Sequence, residues 1–361
     1  MGKGDVVRVR LGPTNGITDV PGVQVGQYER KEEPYLTGAT VLLFPEGAVA
    51  GVDVRGGAPG TRQTDALAPW CLVERVHGVV LAGGSAYGLD VACGVTQFLE
   101  ERGIGLSVGE GEREVVPIVP SAILFDLGRG GDFQARPDSD FGYRAAQSAS
   151  SEAVAQGNVG AGTGAVAGGL KGGLGTASTE LESGVRVGAI VAVNARGSTV
   201  EARTGRLLGA NMALPGEFAD LRDPDPSEAE RAKRMPPPLP RIGLNTTIAV
   251  VATSAELTKV EAGRMATIAH DGLARAIHPV HTTFDGDTIF GVSTGTRPCM
   301  AAGEAERSKD RTNRARDTDE IFLAAADALT RAVVHAMVEA ESIRGHKAYR
   351  DQFPSAFRNR A

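Results

Sequence analysis

The segment Ile242-Gly-Leu-Asn-Thr-Thr-Ile-Ala-Val-Val-Ala252 decides the fold, because the chain changes character inside it. From Thr247 to Ala252 the residues are mostly β-branched or apolar, which predicts a buried strand. Shortly before it, Glu217–Pro240 is charged and then proline-rich, with almost no apolar periodicity. That composition predicts an exposed linker. The sequence therefore places a linker just ahead of a core strand.

Apolar runs of strand length recur along the rest of the chain, bounded by Gly, Pro or Asp. They predict buried strands over Ala39–Phe44, Val49–Val54, Gly78–Leu81, Val115–Val119, Val185–Val193 and Thr288–Val292. Apolar spacings of three and four residues predict one-faced helices over Ser85–Arg102, Thr253–Ala276 and Asp317–Ile343. A Thr253-x-x-Glu256 box predicts where the second helix begins. Sheets covered by such helices are typical of an α/β or α+β layered sandwich.

The composition excludes several classes of protein. The 361 residues carry 38 Lys and Arg against 44 Asp and Glu, a formal charge of −6, which argues against a nucleic-acid partner. No run approaches the roughly 20 apolar residues of a spanning helix, and no secretory signal follows Met1. We therefore expect no membrane partner and a cytoplasmic location. The three cysteines, Cys71, Cys93 and Cys299, do not form a disulfide framework or a zinc site.

The densest glycine segment is Gly157–Gly175, in a chain with 48 glycines. Its backbone N–H groups could cradle a phosphate. The P-loop pattern fails by one residue, because Leu170 stands where the lysine belongs. A permissive loop that presents Lys171 beside a catalytic pocket is the favoured interpretation, and simple packing is the other.

Two polar groupings each have a functional and a structural interpretation. His278 and His281 could bind a metal, but Pro279 separates them, and structural or surface histidines are the safer interpretation. Asp285-Gly-Asp287 sets two carboxylates on one face of an extended segment. This pair could bind a divalent metal, accept hydrogen bonds from an ammonium or hydroxyl group, or cap a turn. Taken alone, the turn is favoured.

Asn245-Thr246, at the start of the strand, fits an N-terminal nucleophile before processing. In such a protein the Thr246 hydroxyl attacks the Asn245 carbonyl, and hydrolysis of the ester releases a new amino terminus. The freed α-amine, with an ordinary pKa near 7.7–8.0, can act as base for its own hydroxyl. Local sequence alone does not decide this, because Asn-Thr before a strand is common.

A set of motifs in a fixed order identifies a known family. They are Thr18-Asp-Val-Pro-Gly-Val-Gln-Val-Gly26, Thr37-Gly-Ala-Thr40, Asp53-Val-Arg-Gly-Gly57, Leu81-Ala-Gly-Gly-Ser-Ala-Tyr-Gly-Leu-Asp90, Gly160-Ala-Gly-Thr-Gly164, Asn245-Thr-Thr-Ile248 and His281-Thr-Thr-Phe-Asp-Gly-Asp287. From about Gly16 to Val338, the chain resembles the self-processing L-aminopeptidase/D-esterase family. That family includes β-peptidyl aminopeptidases and nylon-oligomer hydrolases.

The resemblance implies a single four-layer αββα domain over residues 1–361. It implies a cut between Asn245 and Thr246 into an α chain (1–245) and a β chain (246–361), and a homo-oligomer of αβ units. The implied activity is hydrolysis of short peptides or linear amide oligomers through an acyl-Thr246 intermediate. No metal and no organic cofactor are implied.

The resemblance also implies roles for particular residues. Thr246 corresponds to the nucleophile, and Asn194 to an asparagine that donates to the oxyanion. Asp285 and Asp287 correspond to the pair that orients the nucleophile and its amine. Lys171 corresponds to a further catalytic residue.

Two features bear on the branch of the family. Threonine at position 246 and the Asp-Gly-Asp pair resemble the nylon-oligomer hydrolases, whereas Phe125 replaces a tyrosine that takes part in substrate contact or self-cleavage in that branch. Two other functions stay open. One is an acyltransferase of the ornithine acetyltransferase type, and the other is a non-catalytic homologue that is never cut.

Overall fold

A computed structural model describes residues 9–111, 113–233, 244–299 and 311–358. Within these ranges the strands are β1 Val9–Leu11, β2 Gln24–Arg30, β3 Thr37–Val54, β4 Thr61–Arg62, β5 Val76–Ala82, β6 Leu106–Ser107, β7 Val115–Val116, β8 Ser121–Ile123, β9 Val166–Ala167, β10 Leu170–Lys171, β11 Leu174–Leu181, β12 Arg186–Ala192, β13 Ile248–Ala255 and β14 Thr288–Arg297. The helices there are α1 Val91–Glu100, α2 Ser139–Gln147, α3 Pro226–Lys233, α4 Lys259–Ala276, α5 Arg311–Glu339 and α6 Tyr349–Gln352.

The long strand β3 joins two sheets. Its amino half pairs with β2 and β5, and its carboxyl half pairs with β14. The first sheet has the order β1-β11-β12-β13-β14-β3, and the second has the order β2-β3-β5-β8-β4. Neighbours are antiparallel except for two parallel pairs, β13 with β14 and β5 with β8. The predicted strands Ala39–Phe44 and Val49–Val54 are therefore two parts of one strand.

Buried apolar clusters in the described residues separate four layers. One cluster lies between the first sheet and helices α4 and α5, one between the two sheets, and one between the second sheet and helices α1 and α2. Strand β13 contributes to two of them by alternation, since Ala249 and Val251 face the helices while Ile248 and Val250 face the second sheet. The predicted αββα sandwich is confirmed.

Glycine allows the helices to approach the first sheet closely. A Cβ atom on Gly291 of β14 would lie 2.2 Å from the Ala262 carbonyl oxygen of α4. A Cβ atom on Gly175 of β11 would lie 2.0 Å from the Ala332 carbonyl oxygen of α5. Both distances are well inside van der Waals contact, so larger residues would push the layers apart. Part of the high glycine content therefore serves packing.

The predicted start of the second helix is wrong. Thr253 lies in β13, where it pairs with Val187 of β12 and Ser293 of β14, and the strand continues to Ala255 beside β14. Helix α4 begins at Lys259, and its capping box is formed by Thr258 and Glu261. The same Thr-x-x-Glu spacing occurs twice within a few residues, and only strand pairing decides between the two.

The segment predicted as an exposed linker, 217–240, has both exposed and buried residues in the part that the structure describes. The Glu217 side chain is buried and lies 3.1 Å from Arg331 and 2.9 Å from His335, both on α5. Residues Pro226–Lys233 form α3, in which Ala229 is buried. Residues 234–240 lie outside the described residues. Specific partners on a distant helix thus bury the Glu217 side chain, although the local composition is polar.

Helix α5 is longer than predicted at its amino end and shorter at its carboxyl end. Its part Arg314–Glu339 is long and apolar enough to cross a membrane by length and composition, although the sequence suggested no such segment. However, 78% of the apolar window is buried inside the protein, against the first sheet and α4. Such burial is typical of a core helix.

Candidate active site

The segments that carry most of the predicted site residues meet at one edge of the first sheet. Asn245–Thr247 precedes β13, and Asp285–Asp287 precedes β14. Because these strands are parallel, their amino ends lie side by side, and Asn245 forms a β-bridge with Asp285. Asn194 follows β12, which is antiparallel to β13 and ends at the same edge. Strand topology therefore assembles residues that are far apart in the chain.

The Thr246 hydroxyl lies against the peptide bond that precedes it. Thr246 is buried, and its Oγ1 donates a hydrogen bond of 2.5 Å to the Asn245 carbonyl oxygen. The same carbonyl accepts the Gly286 N–H at 3.1 Å, and the Thr246 N–H donates to the Asn194 carbonyl at 2.7 Å. The candidate nucleophile is thus fixed beside its carbonyl. A backbone donor also points at the oxygen on which negative charge would develop.

Asp285 is buried in the turn that precedes β14. One carboxylate oxygen accepts the Arg196 N–H at 3.1 Å. The other accepts the Thr282 N–H at 2.9 Å and the Thr282 hydroxyl at 2.5 Å. These bonds engage both carboxylate oxygens, and Asp285 meets the nucleophile segment through its backbone, in the β-bridge with Asn245. They also agree with the turn-capping interpretation of this carboxylate.

Asp287 lies two residues closer to the strand and contacts the segment that holds the nucleophile. Its carboxylate accepts the Thr247 N–H at 2.8 Å, and its other oxygen lies 2.6 Å from Nδ1 of His281. Burial raises the pKa of Asp287, against the hydrogen bonds from His281 and Thr247, which lower it. The protonation of this carboxyl is therefore sensitive to its neighbours.

His281 is a candidate site residue that sequence reasoning missed. The interpretation of the histidines as structural or surface side chains holds for the exposed His278. His281 instead contacts Asp287, and its ring packs 4.7 Å from that of the fully buried His270. Burial lowers the pKa of His270 to about 4, so its ring is neutral at neutral pH. The signal was the position of His281 six residues before an aspartate whose role was already suspected.

Asn194 is fully buried and its side-chain amide is fixed at both ends. Its Oδ1 accepts the Val166 N–H at 3.0 Å and a hydrogen bond from the Arg129 guanidinium. Its Nδ2 donates to the Phe125 carbonyl at 3.2 Å. In the uncut chain the scissile carbonyl accepts a hydrogen bond from the Gly286 N–H. Asn194 contacts the nucleophile segment through its backbone carbonyl, which accepts the Thr246 N–H.

Lys171 is buried within the glycine-rich loop and does not contact Thr246 among the described residues. Its Nζ donates to the carbonyls of Gly162, Ala165 and Gly172 at 2.9, 3.1 and 2.6 Å. Burial lowers its pKa to about 7, although the nearby charge of Asp126 raises it. The ammonium faces its own loop, which argues against a phosphate cradle. This loop carries the Val166 N–H that holds the Asn194 side chain.

Arg129 was not anticipated from the sequence. Its guanidinium donates to Oδ1 of Asn194, to Oδ1 of Asn245 at 2.6 Å and to the Leu244 carbonyl at 2.9 Å. The ring of Phe125 lies beside it, 5.6 Å from the guanidinium carbon. One cation therefore joins the candidate oxyanion asparagine to the residue that would be cut.

Metal coordination finds no support in this arrangement. Across the described ranges, no group of three or more His, Cys, Asp and Glu side chains is placed to hold a metal ion. The oxygens of Asp285 and Asp287 are already engaged by protein donors. The site thus consists of a hydroxyl, two carboxylates, an amide and a guanidinium around one peptide bond.

Comparison with known proteins agrees with the resemblance stated from the motifs. The model of peptidase family S58 matches residues 15–350. The chain belongs to this family. Its S58 relatives include an uncharacterized aminopeptidase of Mycobacterium leprae, 46% identical over 358 residues and covering 96% of both chains. A 6-aminohexanoate-oligomer endohydrolase of Kocuria sp. is 34% identical over 287 residues, 76% of this chain and 74% of that one.

A solved structure supports the fold of this S58 member. The L-aminopeptidase D-Ala-esterase/amidase of Ochrobactrum anthropi, described as a variant of the Ntn hydrolase fold, matches with a TM-score of 0.68. The match has 23% identity and covers 95% of this chain and 91% of that one. The predicted family is confirmed, and the protein is a hydrolase of peptide or amide bonds.

Proposed function

We propose that this S58 member matures by cutting its own Asn245–Thr246 bond and then hydrolyses amides with Thr246 as nucleophile. The observation that carries the proposal is the Thr246 hydroxyl, buried and 2.5 Å from the carbonyl oxygen of the preceding residue. This position sets Oγ1 beside the carbonyl group that it would attack. A reacting hydroxyl needs it, because attack requires near-contact in the ground state.

The self-cleavage proceeds in two balanced steps. Thr246 Oγ1 bonds to the Asn245 carbonyl carbon, the carbon–nitrogen bond breaks, and the hydroxyl proton passes to the Thr246 nitrogen. Water then hydrolyses the ester, which leaves a carboxylate on Asn245 and a free amine on Thr246. The products are chains 1–245 and 246–361. The Gly286 N–H, 3.1 Å from the carbonyl oxygen, supports the charge that develops there.

In the mature enzyme the same hydroxyl attacks a substrate amide. The Thr246 amine takes the hydroxyl proton and delivers it to the leaving amine, and water then releases the acyl group. Asn194 donates to the oxyanion, while Asp285 and Asp287 hold the amine in place. Lys171 supports this arrangement by fixing the loop that bonds Asn194. No cofactor is needed for any step.

The substrates we propose are short peptides or linear amide oligomers. The names of two relatives, an aminopeptidase and a 6-aminohexanoate-oligomer endohydrolase, support this range. We propose in addition that the αβ units assemble as a homo-oligomer in the cytoplasm, without a nucleic-acid or membrane partner. Phe125, beside Arg129, would contact substrate through its ring and not through a hydroxyl.

The test is the mass and amino-terminal sequence of the purified protein. We expect two chains, the smaller beginning at Thr246, and a Thr246→Ala variant that stays in one piece and hydrolyses nothing. Thr247→Val is the matched control, because the buried Thr247 hydroxyl has no hydrogen-bond partner in the described structure. That variant should still be cut. An intact wild-type chain that hydrolyses amides would contradict the proposal.

A further inference from the structure

The peptide unit before the scissile bond is held at both of its ends. The Leu244 carbonyl accepts from the Arg129 guanidinium at 2.9 Å. The Asn245 N–H, the other end of the same unit, donates to the Phe284 carbonyl at 3.0 Å. Arg129 also reaches the Asn245 side chain, with 2.6 Å to Oδ1. The site therefore binds a complete secondary amide and the side chain that follows it.

These contacts have a meaning for substrates because of the chemistry of self-cleavage. The ester formed in the first step joins the Asn245 carbonyl to Thr246 Oγ1. An acyl-enzyme formed from any substrate joins its acyl carbonyl to the same oxygen. The two esters are the same kind of species, so the groups around Leu244 and Asn245 mark where the acyl part of a substrate lies. This step rests on the function proposed above.

The acyl side of the site carries the guanidinium of Arg129. Arg129 stays protonated at neutral pH although burial lowers its pKa. The pKa of the nearby His346 is lowered by burial and by the charges of Lys171 and Arg129. Asp126 is the carboxyl that these cations share, and burial raises its pKa. An additional cation at the position of the Asn245 nitrogen would therefore meet repulsion.

We propose that Arg129 and the Phe284 carbonyl form an acyl-side subsite for a residue whose amino group is itself acylated. A substrate with a free amino group at this position lacks the carbonyl that Arg129 binds, and it brings an ammonium next to the guanidinium. Both effects disfavour it, because an unpaired charged donor and a like-charge contact each cost binding energy. The subsite selects N-blocked residues or positions inside a chain, and it favours a side-chain oxygen like that of asparagine.

The experiment compares p-nitroanilide substrates on the processed wild-type enzyme. We expect kcat/KM for N-acetyl-asparagine p-nitroanilide to exceed that for asparagine p-nitroanilide by about tenfold or more. N-acetyl-leucine p-nitroanilide is similar in size but lacks the side-chain oxygen, so its kcat/KM should be several-fold lower than that of the acetyl-asparagine substrate. A processed enzyme that prefers the free amine overturns the subsite. An intact chain that hydrolyses none of the three contradicts the proposed function instead.

Substitution of the arginine tests its part directly. In the processed fraction of Arg129→Gln, we expect the preference for the acetylated substrate to fall about tenfold. Arg129→Lys keeps the charge but not the two-pronged contact, so its preference should lie between those of the wild type and Arg129→Gln. Arg206→Gln is the control, since Arg206 is half-exposed and paired with Asp223. An unchanged preference in the Arg129 variants would overturn the assignment. The wild-type comparison still decides the proposal if those variants are not processed.

Discussion

The two sides of the Asn245–Thr246 bond differ in the charge that surrounds them. On the Thr246 side the carboxylate of Asp287 accepts the Thr247 N–H, whereas on the Asn245 side the guanidinium of Arg129 contacts the Asn245 side chain. The difference matches what scission would leave behind. An amine would form on the acidic side and a carboxylate on the basic side, so the intact chain already presents the partners of both products.

Asn194 joins the two sides, and its removal should have the largest effect. Its backbone carbonyl holds the Thr246 N–H, and its side chain bonds Arg129. We expect Asn194→Ala to slow scission and amide hydrolysis by about 10²–10³, as for the loss of other oxyanion donors. The rate of scission is followed by denaturing gel after synthesis of the chain, and hydrolysis by release of p-nitroaniline.

An aspartate at the same position separates donation from positioning. Asn194→Asp keeps an oxygen for the Val166 N–H and for Arg129 but has no amide N–H to donate. It should therefore be as slow as Asn194→Ala. Recovery of the wild-type rate in Asn194→Asp would show that the amide N–H is not used, and would assign the oxyanion to Gly286 alone.

On the acidic side, Asp287→Asn should slow hydrolysis by about 10². The amide can still accept the Thr247 N–H, but it lacks the charge that would hold the Thr246 amine. A positioned general acid or base typically contributes about 10²–10⁴ in rate, and the amine loses part of this without the carboxylate. Asp327→Asn, on the half-exposed part of α5, is the control and should leave kcat unchanged. Equal rates in the Asp287→Asn variant and the wild type would remove the carboxylate from the mechanism.

The strand pattern was visible in the sequence because alternation is a local property. The predicted strands Val185–Val193 and Thr247–Ala252 correspond to β12 and β13. Their ends differ from the observed ends by one to three residues. Strand β11 was missed because it begins inside the glycine-rich segment and its side chains are short. Its place depends on packing against α5, where glycine is required.

Only part of the site could be predicted from the sequence, for a similar reason. Thr246 and the two aspartates stand at strand starts, and their spacing suggested chemistry. Arg129 lies 116 residues from Asn245, and nothing in its own neighbourhood indicates that the two meet. The burial of Glu217 likewise depends on Arg331, 114 residues later. Contacts of this kind become apparent only once the layers are assembled.

On the basic side, Lys171→Met should lower the free energy of unfolding by about 2–3 kcal/mol, since three buried carbonyls lose their hydrogen-bond donor. Chemical denaturation measures it. Lys259 is a matched control, because it also donates to three carbonyls, those of Ala66, Cys71 and Val73. Lys259→Met should lose comparable stability yet be cut normally, whereas Lys171→Met should also be cut more slowly. Full stability with lost activity in Lys171→Met would instead indicate a directly catalytic lysine.

The smallest effect concerns the pH dependence that His281 gives to the acidic side. Its hydrogen bond lowers the pKa of Asp287, so its loss raises that pKa, and the carboxylate is then protonated at a higher pH as the solution is acidified. We expect the acidic limb of the hydrolysis rate to move to higher pH in His281→Gly, which tolerates the positive φ of 54° at this position. His281→Asn, whose amide nitrogen can take the place of Nδ1, should move the limb back. The rate above the limb should change at most several-fold, and the exposed His278→Gln should behave as wild type. A limb that stays in place in His281→Gly would mean that the protonation of Asp287 does not govern it.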